Sequence, residues 1–339
     1  MSAMFLRTWH CMVVMIAALW ISSGWAAMPV DPSPRPEQAA PGVWVIQGSV
    51  AANREPDGNS VIFEVPQGLV VVDTGRHAWH RQAVLEFARS QQKPIVAIIN
   101  SHWHLDHVSG NPTLRAEYPD LQVYASDAID RALVGFLATS AKEAARYLND
   151  PEIPREMRAD IRADVLTIQN GARLRPDVVI GASGSVSIGG QVFNINLARN
   201  AATNGDIWLY DAKSGVAALG DLVTLPAPFL DTACPEGWKT ALAQVATTPF
   251  TVAIPGHGAP MVQAQVSLYR RSFEAFIDCS KSTRPAQECA ANWANAVQPL
   301  LPAGADEVQH AKKTAGYYVD MLRANSGRSK YCEAPLSLG

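Results

Sequence analysis

A mixed α+β fold is predicted by three observations. Strand-like segments fall in two groups along the chain, residues 43–99 and residues 178–254. Segments with helical periodicity flank each group. The apolar run 95–99 leads straight into a stretch dense in histidine and aspartate, His102-Trp103-His104-Leu105-Asp106-His107. A strand end is rigid, so side chains that follow it can be held in tight mutual geometry.

The elements follow in order. Residues 43–46, 60–64 and 69–72 have the β-branched content of strands, and Pro66-Gln67-Gly68 makes a hairpin turn between the last two. Residues 77–90 read as an amphipathic helix, and 95–99 as a buried strand. Residues 111–117 and 127–148 read as helical. Residues 141–175 have the character of a helical insertion, broken by Pro151 and Pro154 and carrying Arg155, Arg158, Arg162, Arg173 and Arg175. These arginines read as a solvated face or as a lid that brings a cation to an anionic substrate. Strand patterns resume at 178–180 and 186–197, then at 207–210 and 215–219 as a hairpin-like pair. Residues 238–245 are helical, 251–254 form a strand, and helical signals dominate from 262 onward.

The 339 residues are enough for one large domain or two modest ones, and 48% hydrophobic content is ordinary for a globular chain. A net charge of −3 and the lack of a basic run argue against a nucleic-acid partner. Arg7 precedes an apolar run over 12–21, and Gly24 and Ala26 suit a cleavage site, so residues 1–27 read as a secretory signal peptide. That run is short for a membrane span of about 20 residues. The chain is therefore expected to be periplasmic or secreted, with no stable membrane insertion after signal removal. Residues 28–42 read as a stiff Pro-rich leader. Cys11 leaves with the signal, and the four remaining cysteines suggest two disulfides in an exported protein. Of the three pairings, Cys279–Cys289 and Cys234–Cys332 are favoured: the first closes a short loop between helices and the second tethers the C-terminus.

Imidazole and carboxylate are the donors a divalent ion such as zinc prefers. Alternation puts His102 and His104 on one side of an extended loop end, with Asp106 and His107 on the next turn, facing a second ion. Two ions about 3.5–4 Å apart are the usual arrangement for metal-assisted hydrolysis. Asp73, at the end of a buried-looking strand, serves either to orient a ligand histidine or to cap a turn. His77, His80 and His310 read as surface residues. Trp103 and the 226–231 segment, Pro-Ala-Pro-Phe-Leu-Asp, are candidates for an apolar wall.

The His102-Trp103-His104-Leu105-Asp106-His107 motif resembles the signature of the metallo-β-lactamase superfamily. Val71-Val72-Asp73-Thr74-Gly75, Gly220-Asp221 and Pro255-Gly256-His257-Gly258 resemble further motifs of that family in the expected order. The resemblance covers about residues 43–260. It implies a four-layer αββα sandwich, within a single domain over 43–339 that includes a C-terminal helical extension from about 262. It also implies metal ligands His102, His104, Asp106, His107, Asp221 and His257, with Asp221 bridging and with Asp106 and Asp221 as catalytic carboxylates.

One motif departs from the pattern. Ala202-Thr203-Asn204-Gly205-Asp206 aligns with a stretch whose first residue is usually a ligand histidine, and alanine cannot ligate. Asn200 and Thr203 are the nearby oxygen donors. The resemblance implies an exported zinc hydrolase using one or two ions on a small-molecule ester, thioester, lactone or amide. The exported setting is similar to that of periplasmic metallo-hydrolases associated with quinoprotein dehydrogenase systems. The vacant position opens one alternative, a binding protein with lost turnover. The resemblance implies another, an oxidoreductase with a single iron, since some members of the family use iron.

Overall fold

The computed structural model describes residues 34–49 and 53–332. The expected signal peptide lies outside them. Two sheets organise the chain. The first has seven strands in sequence order: β1 (Pro36–Ala40), β2 (Val43–Ile46), β3 (Ser60–Val65), β4 (Gly68–Val72), β5 (Ile95–Ile99), β6 (Gln122–Ala125) and β7 (Val178–Val179). The second has β8 (Gly184–Ile188), β9 (Gln191–Ala198), β10 (Asp206–Asp211), β11 (Val216–Thr224) and β12 (Val252–His257), in the order β12-β11-β10-β9-β8. The helices are α1 (Ala78–Ser90), α2 (Leu105–Val108), α3 (Asn111–Glu117), α4 (Ala128–Val134), α5 (Phe136–Leu148), α6 (Arg155–Gln169), α7 (Pro235–Ala246), α8 (Gln263–Ser280), α9 (Ala286–Val297) and α10 (Ala305–Ala324).

Strand alternation explains the layering. Val61, Phe63 and Val65 of β3 and Val70 and Val72 of β4 face the second sheet, where Phe193, Ile195, Leu209 and Ala218 meet them. The intervening Ile62, Leu69 and Val71 face α1, against Val84, Leu85 and Phe87. Ala217 and Leu219 of β11 face the other way, toward Trp238, Tyr269 and Trp293 on the C-terminal helices. Both faces of the central strands are apolar because both are covered. The result is the expected four-layer αββα sandwich.

Several boundaries differ from the sequence reading. Pro36–Ala40, assigned to the leader, is an edge strand paired antiparallel with β2. Proline is tolerated there because the first residue of an edge strand need not donate to a ladder. The single strand expected over 186–197 is a hairpin, turned at Gly189 and Gly190, both at positive φ (61° and 82°). Their lack of a Cβ permits the tight turn that reverses the chain. The helix expected over 127–148 divides at Gly135 into α4 and α5. Both favoured disulfides, Cys234–Cys332 and Cys279–Cys289, are present.

Candidate metal centre

The ends of β4, β5 and β12 and the interior of β11 converge on one place. β4 delivers Asp73, and β5 delivers Ser101 to His104. The short α2 then presents Asp106 and His107. Parallel pairing of β11 with β12 sets Gly220 opposite Pro255, which puts Asp221 and His257 side by side. Close backbone approach requires glycine at two points. A Cβ on Gly256 would lie 2.1 Å from Asp221 Oδ1, and one on Gly58 would lie 2.3 Å from the His107 ring.

The six predicted ligands come together and are all buried. They form two groups that can each hold a metal ion: His102, His104 and Asp221, and Asp106, His107 and His257. In the first, His102 Nε2 lies 2.8 Å from His104 Nδ1, and Asp221 Oδ2 lies 3.5 and 3.7 Å from these nitrogens. In the second, Asp106 Oδ2 is 3.0 Å from His257 Nε2 and 3.5 Å from His107 Nε2. The other oxygen of Asp221, Oδ1, is 3.2 Å from His107 Nε2 and 3.5 Å from His257 Nε2. Asp221 thus turns one oxygen to each group, as a bridging carboxylate does.

Hydrogen bonds behind the ligands decide which nitrogen faces inward. Asp73 accepts from the Ser101 N–H (2.7 Å), the Ser101 hydroxyl (2.6 Å) and His107 Nδ1 (2.8 Å). With its hydrogen committed to Asp73, Ser101 Oγ accepts from His102 Nδ1 at 2.9 Å. On the other side, the Thr232 hydroxyl donates to the Ala202 carbonyl (2.9 Å) and accepts from His104 Nε2 (3.0 Å). The inward atoms are therefore lone pairs: Nε2 of His102 and His107, and Nδ1 of His104. Such backing fixes the tautomer and ring angle of metal-binding imidazoles. Asp73 does this from a left-handed backbone, φ 60°, which aspartate tolerates better than most residues.

The electrostatics fit a cation. Asp221 is buried and its Oδ1 has no hydrogen-bond partner, an arrangement that needs a positive charge nearby. Burial would raise its pKa, but His107, His257 and His102 outweigh burial and hold it well below the usual carboxylate range. Asp106 is lowered in the same way, by His107, His257 and Arg76 against burial. Burial, aided by His102, pushes His104 down to about 4. For His107, burial is overcome by Asp221, Asp106 and Asp73, so its pKa rises well above the usual value. Protons and metal ions compete for the same imidazole lone pairs. Two carboxylates and four imidazoles are a donor set suited to zinc, with iron also compatible.

Ala202 is buried with its side chain in the apolar core, so the aligned position supplies no ligand to the first group. Thr203 does not replace it, because its N–H and hydroxyl both bond Asp206. The surface reading of two histidines is corrected. His80 is fully buried and bonds Ser60 Oγ at 2.8 Å, while His77 is clamped between Asp57 (2.6 Å) and Asp160 (3.2 Å). An amphipathic helix read in isolation shows an apolar face but not that its polar face is also covered.

The insertion contributes acids to the site and no cation. Asp160 pairs with Arg54 at 2.8 Å, and Asp164 pairs with Arg76, whose guanidinium also lies 3.7 Å from ligand Asp106. Arg158 instead bonds backbone carbonyls at Asp150 and Ile153, and Arg175 pairs with Asp130 at 2.6 Å. Thr232 and Arg76 were not recognised in the sequence. Arg76 directly follows the Asp-Thr-Gly motif, which could have flagged it. Thr232 lies 128 residues from His104 and has no local signal.

A cavity of about 230 Å³ opens from His104, Asp106, Asp221 and His257 and runs between α5, α6, α10 and the segment after α10. Trp103 and Phe229 line it beside the cluster.

The profile of the metallo-beta-lactamase superfamily matches residues 54–278. The chain belongs to that superfamily, whose members are mostly hydrolases. A linear primary-alkylsulfatase from Pseudomonas sp. (strain ATCC 19151) is 34% identical over 73 residues, a stretch covering 20% of this chain and 14% of the relative. Among solved structures, the sec-alkylsulfatase Pisa1 from Pseudomonas sp. superposes with a TM-score of 0.59 at 17% identity, over 90% of this chain and 52% of that one. A metallo-beta-lactamase from Pontibacter korlensis superposes with a TM-score of 0.51 at 16% identity, over 69% and 96% of the two chains. At these identities the superpositions show the fold alone.

Proposed function

We propose that this chain is an exported, zinc-dependent hydrolase that uses water to cleave an ester-type bond in a small molecule. The observation carrying this is the set of six buried donors, three of whose imidazoles have their inward lone pairs fixed by Asp73, Ser101 and Thr232. Asp106, His107, His257 and Asp221 would hold one ion. His102, His104 and Asp221 would hold a second, with one protein ligand fewer than the family pattern. A divalent ion bound there supplies Lewis-acid chemistry, making water a stronger acid and drawing charge from the substrate oxygen.

The chain's own residues do the rest. Asp106 and Asp221 orient the attacking water and take its proton. The water oxygen bonds to the central atom of the ester, the bond to the leaving oxygen breaks, and the proton leaves on the released alcohol. Trp103 and Phe229 screen the reacting bond from bulk water. Carboxyl esters, thioesters, lactones and amides are candidate substrates, and the alkylsulfatase similarity adds sulfate esters. Export is supported by the N-terminal pattern and the two disulfides. No helix among the described residues is long and apolar enough to cross a membrane.

Metal analysis of the purified exported protein, paired with a panel of these esters and a β-lactam, tests the proposal. Zinc should be present, and activity should vanish on chelation and return with zinc. Metal without turnover on any member would support the binding alternative, for which Ala202 is the argument. An iron-type optical spectrum in fresh protein would support the oxidoreductase.

A further inference from the structure

Aromatic rings run outward from one ligand. The His104 ring meets Trp103 (4.7 Å between centroids) and Phe229 (5.0 Å). Phe136 then meets Trp103 at 5.5 Å and Phe229 at 6.4 Å, and Tyr331 meets Phe136 at 5.2 Å. Beyond the rings, Leu137, Met157 and Ile161 continue the cavity wall along the insertion. The two arginines in the wall, Arg54 and Arg76, are engaged by Asp160 and Asp164. Lys330 and Glu143 also line the cavity, but most of its wall is apolar.

The cavity is closed by a segment outside the family-matched region. Ser329, Lys330 and Tyr331 line it, and they are fastened from several sides. Cys332 is disulfide-bonded to Cys234. Ser329 N–H donates to the Ala233 carbonyl at 3.2 Å, and its hydroxyl donates to the Asp231 carbonyl. Such fastening keeps Tyr331 against Phe136 rather than leaving a frayed terminus.

We propose that this cleft binds an unbranched apolar chain on the His104 side of the scissile bond, with Phe136 and Tyr331 setting the accepted length. The substrate class is then an ester of a straight-chain acid or alcohol, which rests on the hydrolase reading for its scissile bond. Apolar burial drives selection: each added methylene that leaves water tightens binding by about threefold to fourfold until the cleft is full.

Titration calorimetry of the zinc-loaded protein with straight-chain carboxylates from butanoate to dodecanoate measures this without turnover. Matched p-nitrophenyl esters of the same acids are assayed in parallel. Affinity should rise with each methylene and then level off. In Tyr331→Ala and, separately, Phe136→Ala, the decanoate-to-butanoate affinity ratio should fall at least tenfold, with thermal melts confirming that each variant is folded. Tyr331 is half-buried and lies outside the sheets and helices, so its variant carries little folding risk. Affinity independent of chain length, or an unchanged ratio in both folded variants, would overturn the proposal. Chain-length-dependent binding with no ester turnover would uphold the apolar cleft and sink the hydrolase reading. Turnover without chain preference would do the reverse.

Discussion

Thr232 and Glu55 show what single side chains outside the candidate ligand set contribute, the first to the cluster and the second to stability. Thr232 accepts the Nε2 hydrogen of His104 and so keeps Nδ1 as the inward lone pair. Thr232→Val keeps the shape and removes the acceptor. Loss of such a partner typically costs 10–100-fold in metal affinity. The variant should show weaker zinc binding at the position with fewer ligands, by roughly that factor, with the other position unchanged. Competitive zinc titration of variant and parent reads both steps, and identical curves would deny Thr232 its orienting part.

Glu55 is buried beside Arg76. Burial raises its pKa to about 8, against the pull of Arg76 and with help from Asp164, Asp160 and Asp106. The folded chain therefore holds this proton more tightly than the unfolded chain does. Its contribution is fully present below about pH 4.5 and is lost as pH rises toward about 8. Over that window the loss is on the order of a few kcal/mol. Glu55→Gln should flatten the fall in melting temperature between pH 5 and pH 8. A variant whose slope matches the parent would show that Glu55 is ionised throughout.

At the level of elements, the two disulfides differ in what they hold. Cys279–Cys289 joins α8 to α9 across a separation of 10 residues, whereas Cys234–Cys332 fastens the chain after α10 to the start of α7 across 98. In the chain-entropy view, cross-links that close longer loops stabilise more, about 5 against about 3 kcal/mol for these two. Cys234→Ser with Cys332→Ser should therefore lower the urea midpoint more than Cys279→Ser with Cys289→Ser. The reverse order would mean that the short link is the more important one, through the packing of α8 on α9. The insertion shows the same dependence on particular contacts: Asp160 and Asp164 of α6 engage Arg54 and Arg76, and Arg76 in turn lies 3.7 Å from Asp106.

For the whole molecule, two sheets packed face to face leave their outer faces to helices, and the cluster sits where strand ends of both sheets meet. The N-terminal pattern predicts export, which a direct measurement can check. N-terminal sequencing of protein recovered from the periplasm or medium should give a chain beginning near Ala27 or Met28. Recovery of a chain that still begins at Met1 would contradict it.

The sequence by itself determined the layers and the family, and it picked out the candidate ligand set. Strand and helix periods are local, so Val61 to Val65 and Val84 to Phe87 declare their faces without help. The ligands were legible because His102, His104, Asp106 and His107 sit within six residues, and Asp221 and His257 each follow a glycine at a strand end. Both disulfide pairings could be read because four cysteines allow only three pairings, and the short spacing of Cys279 and Cys289 favours one of them. Tertiary structure alone decided the rest. Thr232 meets His104 from far along the chain, and hydrogen bonds between distant residues leave no period in a sequence. His77 is buried because the loop carrying Asp57 and the insertion carrying Asp160 close over the start of α1, and His80 because it turns inward to Ser60 of β3. The aromatic cleft has the same origin: Trp103, Phe136, Phe229 and Tyr331 come from four separate segments, and only the packing of the insertion and the disulfide-held C-terminal segment brings their rings together.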